Sequence, residues 1–86
     1  MADYSVTFAR SARKEVEVLS KSLVERIISK IDALGENPRR PGCRKLRGYI
    51  NLWRIRVGDY RIIYSVYDER EDVDIVAIRH RSEAYD

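Results

Sequence analysis

The sequence predicts an α+β fold, in which an N-terminal helical hairpin packs on a small, mainly antiparallel sheet of three to four strands. Two observations predict it. Apolar residues recur at helical spacing in the first part of the chain and alternate at strand spacing in the last part. The 86 residues, 44% of them hydrophobic, supply one core, because a second domain would be too small to be stable. We therefore expect a single domain over residues 1–86.

The N-terminal half opens with a short strand, since apolar and polar residues alternate over residues 4–8. Two apolar series with helical spacing follow: Ala9, Ala12, Val16 and Leu19, and then Leu23, Val24, Ile27, Ile28, Ile31 and Leu34. Serines at residues 20 and 22 separate the series, which favours two helices folded as a hairpin or joined at a sharp bend. Gly35 and Pro38 are predicted to end the second helix.

The C-terminal half is predicted to form three strands. Residues 52–57 alternate (Leu-Trp-Arg-Ile-Arg-Val), residues 60–67 run Tyr-Arg-Ile-Ile-Tyr-Ser-Val-Tyr, and only Gly58 and Asp59 separate the two stretches. A glycine in the first position of a two-residue loop is typical of a tight hairpin turn. A third strand over residues 73–79 follows an acidic turn.

The hairpin turn fixes which side chains lie opposite each other. We expect these pairs: Val57 with Tyr60, Arg56 with Arg61, Ile55 with Ile62, Arg54 with Ile63, and Trp53 with Tyr64. One face is then apolar, and the other carries Arg54, Arg56 and Arg61. Like charges directly opposite each other cost about 0.2–1 kcal/mol, so stability alone gives little reason for this arrangement. An anion is expected over that face; the alternative is a solvated surface of unrelated arginines.

The charge distribution points to the same region. Residues 39–61 carry eight basic side chains and one acidic, whereas the rest of the chain carries nine basic and thirteen acidic. The segment 37–51 contains both prolines and has no sustained periodicity, which predicts a basic loop. Arginine predominates over lysine, 13 to 4, and its planar guanidinium binds phosphate with two parallel hydrogen bonds. A polyanionic partner is favoured, against the alternative that the arginines only confer solubility.

Several classes of protein are excluded by composition. With one cysteine, Cys43, and one histidine, His80, the chain has no internal disulfide and no zinc site of ordinary ligand spacing. We expect neither a metal nor a cofactor. No run of 18 apolar residues and no leader sequence is present, so we expect no membrane association and a cytoplasmic location.

Two stretches resemble a known family. The stretch 45–48 (Lys-Leu-Arg-Gly), followed by residues 53–64 (Trp-Arg-Ile-Arg-Val-Gly-Asp-Tyr-Arg-Ile-Ile-Tyr), is similar to the RelE/ParE superfamily of bacterial toxins from toxin–antitoxin pairs. The predicted elements also follow the superfamily's order over nearly the whole chain. The superfamily contains both messenger-RNA endoribonucleases and gyrase poisons, so the fold alone does not decide between them.

The resemblance to the nuclease branch implies a set of catalytic residues. Arg54 and Arg56 fall where that branch has catalytic lysines, and Arg61 matches a phosphate-binding arginine. The late arginine of the branch is matched by Arg79 or Arg81, and its late tyrosine by Tyr85. The gyrase-poisoning branch generally lacks this set.

The activity implied by the resemblance is that of a ribosome-dependent, metal-independent messenger-RNA endoribonuclease that inhibits translation. In this chemistry the RNA's own 2′-hydroxyl attacks the adjacent phosphate and leaves a 2′,3′-cyclic phosphate and a 5′-hydroxyl. His80 is a possible acid or base because of its pKa, although strand alternation turns it away from Arg79 and Arg81. Tyr85 is expected either to stack on a base or to transfer a proton. The alternatives are a gyrase inhibitor and a non-catalytic nucleic-acid-binding module.

The expected partners are the message in the ribosomal A site, the ribosome, and a cognate antitoxin. Contacts with RNA or the ribosome are assigned to the basic residues of the loop region: Arg39, Arg40, Arg44, Lys45 and Arg47. The antitoxin implied by the resemblance is RelB-like, acidic and partly disordered, and it wraps the toxin. It would cover the basic face and an apolar groove beside the helices.

Overall fold

The computed structural model describes residues 3–83 and confirms the predicted α+β class. The elements in chain order are β1 (Ser5–Phe8), α1 (Arg10–Glu17), α2 (Lys21–Glu36), β2 (Arg44–Lys45), β3 (Trp53–Val57), β4 (Tyr60–Tyr67), β5 (Asp72–His80) and a 3₁₀-helix, Arg81–Glu83. None of the helices within residues 3–83 is both long and apolar enough to cross a membrane.

The strands form one mixed sheet in the order β1-β5-β4-β3-β2. β1 pairs with β5 in parallel, and the other pairs are antiparallel. The described residues contain five strands, rather than the three to four expected. The extra strand is β2, which pairs with β3 where a loop was predicted. A strand of two residues is too short to show the alternation by which strands are identified in a sequence.

The register predicted for the β3–β4 hairpin is confirmed at every pair, from Val57 opposite Tyr60 to Trp53 opposite Tyr64. Gly58 has φ +60°, the value that a type II′ turn requires of its first central residue. A residue with a Cβ is strained in this conformation. The turn therefore sets the alignment of all the side chains on β3 and β4.

Both helices pack against one face of the sheet and form the main core with it. Its buried residues are Ala12, Ile27, Ile31, Leu34, Ile55, Val57, Ile62, Tyr64, Val66, Val73, Ile75 and Ile78. Tyr64 is fully buried, and its hydroxyl donates a hydrogen bond to the carbonyl oxygen of Pro38 at 2.7 Å. Burial raises the pKa of the Tyr64 phenol, which keeps it protonated as a donor. This bond ties the start of the basic loop to the core.

Gly35 lies inside α2 instead of ending it, since the helix continues to Glu36. Its carbonyl oxygen accepts a hydrogen bond from the backbone N–H of Tyr4 at 2.7 Å. A Cβ at this position would lie 3.2 Å from the carbonyl oxygen of Tyr4, closer than most side chains tolerate. The glycine therefore allows the chain entering β1 to approach the end of α2.

α1 covers the part of β5 that β1 leaves unpaired. The Ser11 hydroxyl donates to the carbonyl oxygen of Val76 at 3.1 Å, and the N–H of Ile78 donates to Oε1 of Glu15 at 2.8 Å. Unpaired backbone groups at a sheet edge invite association with other chains. Side chains of α1 satisfy these groups and protect the edge.

A network around Asp68 ties the basic loop to the turn between β4 and β5. Two nitrogens of Arg39 donate to the Asp68 carboxylate at 3.1 and 2.8 Å, and the Tyr4 hydroxyl donates to it at 2.6 Å. The Arg39 guanidinium also lies 5.3 Å from the centre of the Trp53 ring. The hydrogen bonds from Arg39, and to a smaller extent the one from Tyr4, lower the pKa of Asp68 to about 2.

We predict that this network contributes to stability only while Asp68 is ionised. Because the folded pKa of Asp68 lies below its ordinary value of 3.8, its contribution is complete above that value and disappears as the pH falls through about 2. Urea unfolding of wild type and Asp68→Asn from about pH 6 to about pH 2 measures it. Wild type should be more stable at the upper end, and the difference should shrink towards the lower end.

Glu69→Gln is the matched control, because it removes a neighbouring carboxylate of the same turn. This variant should follow wild type over the whole pH range. A stability difference for Asp68→Asn that does not change with pH would contradict the prediction.

Candidate functional site

On the sheet face opposite the helices, three arginines lie side by side on three adjacent strands. Arg56 on β3 lies opposite Arg61 on β4, and Arg61 lies opposite Arg79 on β5. We call Arg56, Arg61 and Arg79 the arginine row. The hairpin register brings the first two together as predicted, and the β4–β5 register adds the third. Three guanidinium groups therefore start from adjacent positions at one end of an open sheet.

The members of the row differ in their local contacts. Nε of Arg56 donates to the carbonyl oxygen of Gly58 at 2.8 Å, which holds the side chain at the hairpin end and leaves its two Nη groups for other acceptors. Arg61 is half-buried in the centre of the row. Nε of Arg79 lies 3.2 Å from Oε2 of Glu15, whose other carboxylate oxygen binds the N–H of Ile78. Glu15 therefore positions Arg79 at the α1 side of the row.

A second group of basic residues lies next to the row. Arg44, Lys45, Arg47 and Arg54 line a depression of about 450 Å³, and we call these four residues the basic cluster. Arg44 lies opposite Arg54 in the pairing of β2 with β3. The described lining of this depression contains no acidic side chain, which makes it a favourable place for a phosphate group.

A small second core holds the loop of the basic cluster on this face. Leu46 is buried against Ile63 and Ala77, and Leu52 and Val76 pack around them. The N–H of Leu46 donates to the carbonyl oxygen of Leu52 at 2.8 Å, which closes the loop. Apolar contacts on the basic face thus position Arg47 and its neighbours.

The remaining predicted site residues lie in different places. Arg39 is on the helix side of the sheet, where it binds Asp68 and contacts Trp53. Arg40 is half-buried and lines a groove beside α2. The backbone N–H of Arg81 donates to the carbonyl oxygen of Asp59 at 2.8 Å, so Arg81 is held near the hairpin turn.

His80 lies on the face opposite the arginine row. Its ring packs edge-on against Tyr60, with the ring centres 5.2 Å apart. Its Nδ1 accepts the backbone N–H of Ser82 at 3.3 Å and lies 3.0 Å from the Ser82 hydroxyl. The histidine therefore supports the start of the 3₁₀-helix. Tyr85 lies outside the described residues.

Two residues of this region were missed from the sequence, Glu15 and Asp68. Glu15 contacts Arg79 across 64 positions of the chain, and Asp68 contacts Arg39 across 29. Separations of this size leave no local pattern, and each carboxylate stands among other charged residues that are ordinary for a helix or a turn. The charge balance of the basic segment was the only signal that acidic partners must lie elsewhere.

The arrangement can hold a phosphodiester group over the open face. Each guanidinium offers a positive charge and parallel N–H groups to a phosphate. Three such groups at one end of the sheet, with the basic cluster beside them, can bind successive phosphates of one strand. This arrangement can also stabilise negative charge that builds on a phosphate during reaction.

Comparisons with known proteins agree with the fold and identify the family. The family model described as "ParE toxin of type II toxin-antitoxin system, parDE" matches residues 5–85. The chain is 33% identical to the mRNA interferase toxin RelE of Escherichia coli strain K12 over 86 residues, which covers 95% of this chain and 90% of the relative.

Solved structures share the whole architecture. The toxin–antitoxin complex RelBE2 from Mycobacterium tuberculosis contains a chain with TM-score 0.85 and 27% identity, which covers 96% of this chain and 97% of the other. A chain in the archaeal RelE–RelB complex from Pyrococcus horikoshii OT3 has TM-score 0.82 and 31% identity, with 95% and 99% covered. On its sequence, fold and basic site, the chain belongs to the RelE/ParE superfamily of toxins from type II toxin–antitoxin systems.

Proposed function

We propose that this toxin is a ribosome-dependent messenger-RNA endoribonuclease that inhibits translation. The observation that carries the proposal is the arginine row, in which Arg56, Arg61 and Arg79 stand opposite one another on three strands. A surface selected only for stability has little reason to align like charges in this way. Relatives named as mRNA interferases support the proposal at the level of the family.

The reaction requires no metal and no attacking water. The 2′-oxygen of the RNA attacks the adjacent phosphorus in line, and the bond from phosphorus to the 5′-oxygen breaks. The 2′-hydroxyl gives its proton to a base, and an acid protonates the departing 5′-oxygen. The products are a 2′,3′-cyclic phosphate and a 5′-hydroxyl. The protein must orient the sugar and stabilise the charge on the phosphate.

Each group of the site has a place in this scheme. Arg61 binds the non-bridging oxygens of the reacting phosphate, since it is flanked by Arg56 on one side and Arg79 on the other. The basic cluster, which includes Arg54, binds neighbouring phosphates. Proton transfer is assigned to the C-terminal segment that carries Arg81 and Tyr85.

His80 is left out of the proton-transfer scheme, and Arg39 is left out of the RNA contacts. His80 lies on the opposite face of the sheet, where its Nδ1 accepts a hydrogen bond from the backbone N–H of Ser82. Arg39 would have to break its hydrogen bonds to the Asp68 carboxylate before it could bind a phosphate. Of the loop residues, Arg40, Arg44, Lys45 and Arg47 remain as proposed contacts with the message or the ribosome.

The proposed regulator is a cognate antitoxin, an acidic and partly disordered chain. RelE-like chains in the solved structures are found in complexes with RelB antitoxins. On this protein, acidic side chains of such a partner would neutralise the arginine row. Its apolar side chains would enter the small groove of about 210 Å³ formed by Phe8, Val16 and Ile28 beside the helices.

We predict that Arg61→Ala loses cleavage and keeps its fold. Loss of one donor to a charged transition state costs about 10²–10³ in rate, and the substitution removes a like charge from between Arg56 and Arg79. The measurement is the rate of message cleavage in a translating extract, with circular dichroism as the test of folding. Arg10→Ala, an exposed arginine on α1 outside the site, is the matched control and should cleave like wild type.

The same extract distinguishes the competing functions. Cleavage of the message by wild type supports the nuclease proposal. Intact message accompanied by loss of DNA supercoiling would instead identify a gyrase inhibitor, and intact message without that loss would identify a binding module. Cleavage by folded Arg61→Ala at the wild-type rate would remove Arg61 from the proposed role.

A further prediction concerns dependence on the ribosome. A protein with about six phosphate contacts loses on the order of 10³-fold affinity between 50 and 200 mM salt, and a net charge of +3 adds little long-range attraction. Naked transcripts should therefore be cut far more slowly than messages on ribosomes at physiological salt. Equal rates on the two substrates would show that the ribosome is not needed.

A further inference from the structure

A second basic groove lies on the helix side of the molecule, between α2 and the β3–β4 turn. It has a volume of about 820 Å³ and is lined by one side of α2, the turn and Arg40. Four of its side chains are basic, Arg26, Lys30, Arg40 and Arg56, and Glu25 is its one acidic lining residue among those described. We call this feature the α2 groove.

The positive charges of the α2 groove are not balanced within the described chain. None of its four basic residues forms an ion pair with a carboxylate of residues 3–83, and Glu25, which lines the same groove, pairs with none of them. Arg40 shows the imbalance most clearly. Its Nε is buried and has no hydrogen-bond partner, and a buried donor that is left unpaired destabilises a protein. An anion bound in the groove would balance this positive charge.

The walls of the groove are held in place by the turn itself. A Cβ on Gly58 would lie 3.3 Å from Nη2 of Arg26, so the Arg26 guanidinium lies directly against the turn. Arg56 is fixed at the same turn by its bond to the carbonyl oxygen of Gly58. Two guanidinium groups from different elements therefore lie at the turn that lines the groove.

We propose that the α2 groove binds the phosphodiester backbone of RNA as a second site, continuous with the arginine row through Arg56. This proposal rests on the proposed function, which identifies RNA as the ligand. It adds a second binding site for that RNA. Arg56 belongs to both surfaces, so a strand leaving the row can follow the hairpin end into the groove. The backbone is that of the message or of ribosomal RNA.

The lining favours phosphates over a segment of a partner protein. Apolar side chains come only from Ala33 and Val57 among the residues described in the lining, and the rest is charged, hydroxyl-bearing or glycine. An amphipathic helix needs an apolar groove for its anchors, which this lining lacks. Three of the four cations are arginines, the side chain that fits phosphate geometry best.

The test is a matched pair of charge reversals on α2. Lys30→Glu changes a groove residue, and it also places a carboxylate one helical turn from Arg26, within pairing distance. Lys21→Glu makes the same change in net charge at an exposed position of the same helix outside the groove. A fluorescent single-stranded RNA with 2′-O-methyl groups, which cannot be cleaved, reports binding by anisotropy. Sedimentation with ribosomes reports the other source of RNA.

We expect Lys30→Glu to weaken RNA binding about tenfold, the loss of a hydrogen bond to a charged group. It should also flatten the dependence of log affinity on log salt by about 0.7 for each lost phosphate of a single strand. Lys21→Glu should match wild type. Lys30→Gln, which only removes the charge, should show a smaller loss and serves if the reversal does not fold.

The outcomes separate the sources of RNA and test the proposal independently of cleavage. Weaker binding to the oligonucleotide supports the message as ligand, and weaker sedimentation alone supports ribosomal RNA. Equal behaviour of the Lys30 and Lys21 variants with both probes would overturn the proposal. Poly-L-glutamate serves as a polyanion without phosphate. If Lys30→Glu lost binding to poly-L-glutamate but not to RNA, that result would also overturn the proposal. Because no cleavage is measured, an inactive enzyme would contradict the proposed function and leave this test unaffected.

Discussion

The two-residue turn at Gly58 and Asp59 is the constraint on which the rest of the site depends. Gly58 adopts φ +60°, and this conformation fixes the register in which Arg56 stands opposite Arg61. A slip of one residue would send both arginines into the core and the apolar residues into solvent. The same turn supplies the carbonyl oxygen that holds Arg56 and the surface against which Arg26 lies. Local backbone geometry therefore determines where the positive charge is concentrated.

Contacts on the other side of the sheet offset the electrostatic repulsion between the aligned arginines. The helices and the apolar face form the main core, Tyr64 ties the basic loop to it, and Asp68 holds Arg39. Each of these contacts is remote from the open face, so charge on that face can change without removing what holds the fold. Glu15, by contrast, serves both the fold and the open face, since it protects the edge of β5 and positions Arg79.

Much of the fold could be predicted because its signals are local. The helical spacing, the strand alternation and the Gly58 turn are each contained within a few residues, and they yielded the elements, the hairpin register and the shared face of Arg54, Arg56 and Arg61. The contacts that could not be predicted join distant parts of the chain. The pairing of Arg39 with Asp68 could not be predicted, because nothing near Arg39 in the sequence points to Asp68. The strand β2 could not be predicted, because a two-residue strand has no period.

The central claim is that the arginine row binds the phosphate of RNA. The most direct measurement is a titration of the arginine Nε–H signals by NMR with a 2′-O-methyl dinucleotide, which is small enough to occupy a single site. We expect the signals of Arg56, Arg61 and Arg79 to shift together with one dissociation constant. Shifts confined to arginines outside the site, such as Arg10 and Arg70, with the row unchanged, would contradict it.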